Sequence, residues 1–290
     1  MVIAELCAAA DSILEAADIA DREFDRQCIF EDIGGMTRAY CYAHSHEEVS
    51  PQKQEAILAA VKKRAEGCPL QYILGTWEFY GQRLKVGEGV LIPRADTEAL
   101  VEAVLARLNR SRPVRIIDLC SGSGCIAAAL AHNLPDNAEI FAVEKYDRAY
   151  SYLRENVGKL PNVKSIKGDV LDRGQAEEFN GKNRVDCIVS NPPYLTAEDM
   201  TVLQKEVRYE PETALYGGED GLYFYREIIT CWRDCLRIGG LIAFEIDPEQ
   251  ESDVGEMLVK NGFEDCFTRQ DGSGSVRVIG GYRKTITPKK

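Results

Sequence analysis

The sequence predicts an α/β protein: an open, mostly parallel sheet covered by helices, with a small all-helical domain ahead of it. Three observations carry that prediction. From Val114 onward, short β-rich runs alternate with helical stretches, as parallel βαβ units require. The glycine-rich turn Cys120-Ser121-Gly122-Ser123-Gly124 sits between the first such strand and the first such helix. The last two strands are joined only by DGSGS, too short for a crossover, so they should be antiparallel neighbours.

Residues 1–74 read as helices. Ile3, Leu6, Cys7, Ala10, Ile13, Leu14 and Ala17 recur at the spacing of one helical face. Ser50-Pro51 is a helix start, serine as N-cap and proline at the first helical position. Ile57, Ala60, Val61 and Ala65 form the buried stripe behind it, and Gly67 is the stop. Residues 75–96 are a β-hairpin linker, with Trp77/Phe79 and Leu84/Val86 alternating around Gly81-Gln82. Asp96 is the expected N-cap of the helix that begins TEALVEAVLARL.

The third segment, 97–284, holds the sheet. VRIIDL, EIFAVE, VKSIKG and DCIVSN are its first four strands, and the stretches between the first three are helical. After residue 220 come a helix, a Gly-Gly turn, the strand LIAFEI, another helix, and the strands FEDCFTR and VRVIGGY. Residues 285–290 read as a flexible tail.

Composition bounds the function. Among 290 residues, 35 bases and 47 acids give a net charge of −12, which disfavours a broad grip on a phosphate backbone. Eighteen consecutive apolar residues occur nowhere, so no transmembrane helix is expected. The N-terminus carries acids where a secretory signal needs bases. Ten cysteines are scattered without a CxxC pair, and the three histidines (44, 46 and 132) lie far from Cys231 and Cys235. Free thiols in a reducing, cytoplasmic setting are expected, with no metal site and no membrane or direct nucleic-acid partner.

The glycine turn allows close backbone approach to a ligand, and the helix after it offers free N–H groups. Glu144 ends the next strand, twenty residues beyond Gly124, where a carboxylate can accept from ribose hydroxyls. This pattern binds a nucleoside cofactor without saying which. Gly122-x-Gly124-x-x-Ala127 also satisfies the dinucleotide fingerprint, so NAD remains open on this pattern alone.

Asn191-Pro192-Pro193-Tyr194 follows an apolar strand directly, at the strand end where open α/β sheets bind ligands. The prolines stiffen the loop and donate no N–H. They leave the Asn191 side chain and the Pro192 carbonyl as acceptors, beside the flat ring of Tyr194. Such a set suits a planar nitrogen bearing two hydrogens: each acceptor takes one N–H, and Tyr194 can stack on the conjugated plane.

NPPY in this setting resembles the amino-methyltransferases, which use S-adenosylmethionine on adenine, cytosine or glutamine nitrogens. Further segments narrow the resemblance to the HemK/PrmC-type protein-(glutamine-N5) methyltransferases: residues 69–102 with PR-x-x-TE, DLCSGSGCIAAALA, IVSNPPYL, YEPETALYGGEDGLYFYREII (209–229) and GSVRVIGGY. The resemblance runs over essentially the whole chain. It implies a seven-stranded class I, Rossmann-like methyltransferase domain and a substrate-recognition role for the helical domain. The implied substrate is the GGQ glutamine of peptide chain release factors.

Carried over by residue, the resemblance puts S-adenosylmethionine, and its product S-adenosylhomocysteine, on Cys120, Ser121, Gly122, Ser123 and Gly124. Glu144 would hold the ribose, Asp169 and Val170 would lie near the adenine, and Asn191 would touch both cofactor and substrate. Asn191, Pro192 and Tyr194 are then the catalytic group, with Pro193, Arg94 and Glu98 also on the substrate. The family usually has glycine at the position of Cys120, so a negative φ is expected there to tolerate the side chain. Two rivals remain: a nucleic-acid amino-methyltransferase, which needs a basic groove, and a non-enzymatic translation-factor module, which needs no NPPY.

Overall fold

The computed structural model describes residues 1–109 and 111–284; the expected flexible tail at 285–290 lies outside them. The chain divides into two units: Met1–Trp77 with Gln204–Tyr209, and Glu78–Leu203 with the chain from Glu210 onward.

In the first unit, α1 (Ile3–Ala16) buries Ile3, Leu6, Ala10 and Leu14 on one face. α2 (Arg22–Asp32), α3 (Arg38–Ala43), α4 (Pro51–Ala65) and α5 (Leu70–Leu74) complete a core around Ile29, Phe30, Ile57 and Val61. Ser50 Oγ caps α4 by accepting from the Lys53 N–H, with Pro51 at the first position. The buried stripe of α4 ends on Arg64 rather than the expected Ala65. Seven residues past Ile57 is two turns of helix, so position 64 stays on the inner face. Arg64 Nε meets Asp25 at 2.5 Å and its Nη2 meets Glu206 at 2.5 Å, which ties the 204–209 segment into this unit.

β1 (Thr76–Phe79) and β2 (Gln82–Lys85) form the hairpin. Its two-residue turn is Tyr80-Gly81, not Gly81-Gln82. Both turn residues have positive φ, 50° and 72°, the backbone that matches the twist of a tight hairpin. α6 (Thr97–Arg107) follows. Asp96 precedes it with helical φ and ψ and makes no capping bond, so that expectation fails. Its carboxylate points to Arg277, 3.3 Å away.

The sheet of the second unit has seven strands in the order β5-β4-β3-β6-β7-β9-β8. They are β3 (Arg115–Leu119), β4 (Glu139–Glu144), β5 (Val163–Lys167), β6 (Val185–Ser190), β7 (Leu236–Glu245), β8 (Phe263–Gln270) and β9 (Val276–Arg283). Pairings are parallel from β5 through β7, and β9 runs antiparallel to both β7 and β8, as the short DGSGS link requires. α7 (Cys125–Asn133), α8 (Asp147–Val157), α9 (Arg173–Glu177), α10 (Tyr223–Trp232) and α11 (Glu251–Lys260) connect the strands. β3, β4 and β6 are almost wholly buried, as expected of central parallel strands covered on both faces. One apolar layer is built on Leu100, Val104, Ala127 and Leu130, the other on Tyr225, Ile229, Trp232 and Leu258. The order reverses between β3 and β6, so the β3 and β6 loops open into one crevice at the carboxyl edge.

Candidate active site

The turn after β3 opens the site. Gly122 and Gly124 have φ of 54° and 81°, and Cys120 has φ of 58°. The expected negative φ at Cys120 is therefore wrong: the turn keeps a left-handed first residue whether or not that residue is glycine, and the thiol side chain sits under strain. At Gly124 an added Cβ would approach Leu153 Cδ1 to 2.6 Å, whereas at Gly122 it would meet nothing within 4 Å. The first glycine lets α7 lie close to α8, and the second leaves room above the turn. Ser121 Oγ–H donates to the Asp118 carbonyl at 2.8 Å. Beneath the turn, burial pushes the fully enclosed Asp118 carboxyl up to about 7, against the opposing effect of Ser121 and the Ala127 amide.

Glu144 closes β4 beside this turn. Its Oε2 accepts from the Gly122 N–H at 2.9 Å and its Oε1 from the Tyr146 N–H at 2.8 Å. Burial raises its pKa while these amides oppose the rise. Each oxygen keeps a further acceptor site, so the carboxylate is braced by the turn yet able to take two hydroxyls. Asp169, after β5, is engaged by Lys145 Nζ at 2.8 Å and by the Leu171 N–H at 3.0 Å.

The NPPY loop leaves β6 on the other side of the crevice. Asn191 Nδ2–H donates to Thr97 Oγ1 at 3.3 Å, which turns the amide nitrogen away from the opening and leaves Oδ1 as the available acceptor. A second segment straps the loop down. Leu195 N–H donates to the Leu215 carbonyl at 2.9 Å, and Gly217 N–H donates to the Leu195 carbonyl at 2.8 Å. Gln250 Nε2 bonds the Tyr194 and Gly221 carbonyls at 3.0 and 3.2 Å. A Cβ on Gly217 would lie 2.6 Å from Tyr194 Cα, and one on Gly221 2.3 Å from the Tyr194 carbonyl; the glycines of this segment are there so that it can touch the loop.

One cleft with about 1040 Å³ of atom-free space, partly open to solvent, gathers Arg94, Cys120, Ser121, Gly122, Ser123, Glu144, Asp169, Val170, Asn191 and Pro193. Gly124, Pro192, Tyr194 and Glu98 do not line it. Pro192 is buried, and the half-buried Tyr194 packs against the apolar layer of Tyr225 and Phe244, which raises its phenol pKa through burial. Glu98 instead accepts from the Tyr80 N–H at 2.9 Å, holding the left-handed turn of the hairpin. Arg94 pairs with the buried Glu210, whose other oxygen accepts from the Ile92 N–H at 2.9 Å.

The sequence reading gave Phe224 and Glu245 no role, although Phe224 lines the cleft; Thr97, within the PR-x-x-TE match, lines it too, and Glu210, within the 209–229 match, holds its wall through Arg94 and Ile92. Glu245 had a usable signal, since it ends the apolar strand LIAFE as Glu144 ends EIFAVE. Among the described residues no group of three or more His, Cys, Asp or Glu side chains is placed to hold a metal ion. No described helix is long and apolar enough to cross a membrane.

The residues present fit an adenosyl cofactor. The open space over Gly122, the two-oxygen acceptor at Glu144 and the apolar wall of Ile126, Val170, Leu171 and Phe224 supply a turn, a diol partner and a seat for a flat base.

Comparison with known proteins agrees with this geometry. Residues 5–75 match the model of the PrmC N-terminal domain, and residues 95–218 match that of the methyltransferase small domain. The release factor glutamine methyltransferase of Clostridium botulinum is 35% identical over 283 residues, covering 96% of this chain and 98% of that protein. That of Geobacter sulfurreducens is 41% identical over 249 residues, covering 85% and 84%, and that of Escherichia coli K12 33% identical over 274, covering 93% and 95%. Among solved structures, the hMettl16 catalytic domain in complex with MAT2A 3'UTR hairpin 6 is similar in fold, with TM-score 0.54 at 16% identity over 80% of this chain and 84% of that one. The two family models fall in chain order on the two parts of the molecule, and the relatives run across nearly all of it; the chain belongs to the release factor glutamine methyltransferases, the PrmC/HemK family.

Proposed function

We infer that this protein transfers a methyl group from S-adenosylmethionine to the side-chain amide nitrogen of a glutamine in a peptide chain release factor. The observation that carries the reading is that two acceptors line one cleft: the Glu144 carboxylate at the glycine turn, and the Asn191 amide whose nitrogen is tied back to Thr97.

S-adenosylmethionine, when bound, supplies a methyl group activated by a positively charged sulfur. The protein's part is positioning and charge. An amide nitrogen is a weak nucleophile because its lone pair is delocalised into the carbonyl, so Asn191 Oδ1 accepts one N–H of the incoming glutamine and favours the geometry in which the lone pair is localised. The second N–H is assigned to the carbonyl of Pro192, whose ring is buried behind the cleft lining between Asn191 and Pro193. These acceptors gain strength as positive charge grows on that nitrogen. The glutamine proton leaves afterwards to water, so no strong base is required. Tyr194, held protonated by burial and packed on the apolar layer of Tyr225 and Phe244, backs the loop with its ring, and Arg94, fixed by Glu210, marks the rim on the substrate side.

The helical unit is the proposed protein-recognition part, spanning residues 1–74 of the sequence. It carries exposed aromatic rings, Tyr42 at 89% and Phe24 at 53%. The ten cysteines are all free thiols, which supports a cytoplasmic setting. Incubation of purified release factor, or of nucleic acid, with labelled cofactor tests the reading. Label in a glutamine of the release factor is expected, and label in nucleic acid alone would overturn it.

A further inference from the structure

Beside Asn191 lie Thr97, which already ties back its amide nitrogen, and Glu245, which the reaction as described leaves unused. Thr97 is the first residue of α6 and Glu245 the last of β7, and each is 2% exposed. Thr97 Oγ1 accepts from Asn191 Nδ2–H at 3.3 Å, and the Glu245 carboxylate lies beside both side chains, which favour its charged form. A threonine hydroxyl that accepts from Asn191 still has one proton to place, and the buried Glu245 carboxylate is the acceptor beside it. Glu245 Oε2 is buried with no hydrogen-bond partner among the described residues. An isolated carboxylate oxygen of that kind is costly, so its presence beside Thr97 and Asn191 calls for a use.

We propose that Thr97 and Glu245 are positioning residues that lock the Asn191 carboxamide with Nδ2 inward and Oδ1 outward, toward the glutamine amide. A carboxylate only accepts, so in this lock the one hydroxyl proton of Thr97 turns toward the ionised Glu245. Turning the Asn191 amide over would set its oxygen against acceptors and leave its N–H₂ facing the N–H₂ of the substrate. The lock therefore selects the orientation that catalysis needs before the substrate arrives. This inference rests on the reading of Asn191 as acceptor for the substrate amide.

The lock works only while Glu245 is ionised, because a protonated carboxyl would offer a donor of its own. Burial pushes this carboxyl up to about 7, with the charge of Asp96 adding to the rise and Arg277, Thr97 and Asn191 opposing it. Cys125, Tyr194 and Tyr225 face it from the other elements. Turnover should accordingly fall as pH drops through that region.

The test measures kcat, KM and cofactor affinity of the full chain on purified release factor for N191A, T97V, T97S and E245Q. Thr97→Val keeps the shape and removes both hydroxyl roles. It should lower kcat by about 10–100-fold, the scale on which removing a partner that orients a working group acts, with cofactor affinity preserved. Thr97→Ser should restore most of the loss, and Glu245→Gln should lower kcat while flattening the acid limb of its pH profile. If Asn191→Ala turned over at the wild-type rate, the reading of Asn191 would fail and the lock with it. If Asn191→Ala collapsed while T97V and E245Q kept wild-type kcat and pH profile, the lock alone would be wrong. Parallel loss of cofactor affinity in T97V would make Thr97 merely structural and overturn the proposal.

Discussion

Cys120 holds a left-handed backbone, φ 58°, at a turn position where glycine would be unstrained. That conformation costs a residue with a Cβ about 1–2 kcal/mol. Cys120→Gly removes the strain but gives back roughly 0.5–1 kcal/mol in unfolded-chain entropy. The stability of Cys120→Gly, read from its denaturation midpoint, should therefore stay close to wild type, with cofactor affinity equal or better. Cys120→Val, β-branched at the same φ, should be clearly destabilised. At Glu144 both oxygens are already held by N–H donors, Gly122 and Tyr146. Glu144→Ala should weaken cofactor binding by about 1.5–3 kcal/mol, the worth of hydrogen bonds to a charged group. Glu144→Gln should be nearly as damaging, because its N–H₂ must face one of those amides; calorimetry reads both. The carboxylate at the end of EIFAVE was legible from spacing alone. The sign of φ at Cys120 was not, because a turn's backbone is set by the strand and helix it joins and not by the one residue that departs from glycine.

Among the elements, the strap from Leu215 to Gly221 is the least expected. Gly217 does not have a left-handed φ, so the obstacle to a side chain there is purely the approach of Tyr194 Cα and the Pro193 carbonyl at 2.6 and 2.7 Å. Gly217→Ala should push the NPPY loop out of place, lowering kcat on release factor far more than cofactor affinity. Steady-state kinetics beside calorimetry separates the two. In the helical unit, Arg64→Ala would leave Asp25 buried without its partner at 2.5 Å, a change that costs about 3–5 kcal/mol when the surviving charge stays enclosed; urea denaturation should show it. Helices and strands were largely readable because burial imposes periods of 3.6 and 2. The strap, the return of 204–209 to the helical unit and the role of Glu98 were not, since each depends on residues distant in sequence meeting in space. Asn191 and Thr97 lie 94 positions apart, and no local pattern reports that pairing.

For the molecule as a whole, the sheet order and the closing antiparallel pair followed from connection lengths, and the cleft from where the strand order reverses. What the sequence did not disclose was electrostatic: central strands carry carboxyls in full burial. Asp118, pushed up to about 7, binds more protons folded than unfolded between its unfolded value near 4 and that pH. Stability from this group is thus greatest at low pH and declines as pH rises across the window. Asp118→Asn should gain relative to wild type by up to about 1.4 kcal/mol per pH unit between pH 4 and 7, as urea titrations at several pH values would show. Whether Asn191 presents its amide oxygen to a release-factor glutamine beside a cofactor held at Glu144 is decided by peptide mass spectrometry of release factor incubated with S-adenosylmethionine and either wild-type protein or Asn191→Ala. One methyl group is expected on the side-chain amide of the GGQ glutamine with the wild type, and a rate roughly 10²–10³-fold lower with the variant, the effect of deleting one preorganised polar group where charge develops. An unmodified glutamine with the active wild type, or equal methylation by Asn191→Ala at saturating cofactor, would contradict it.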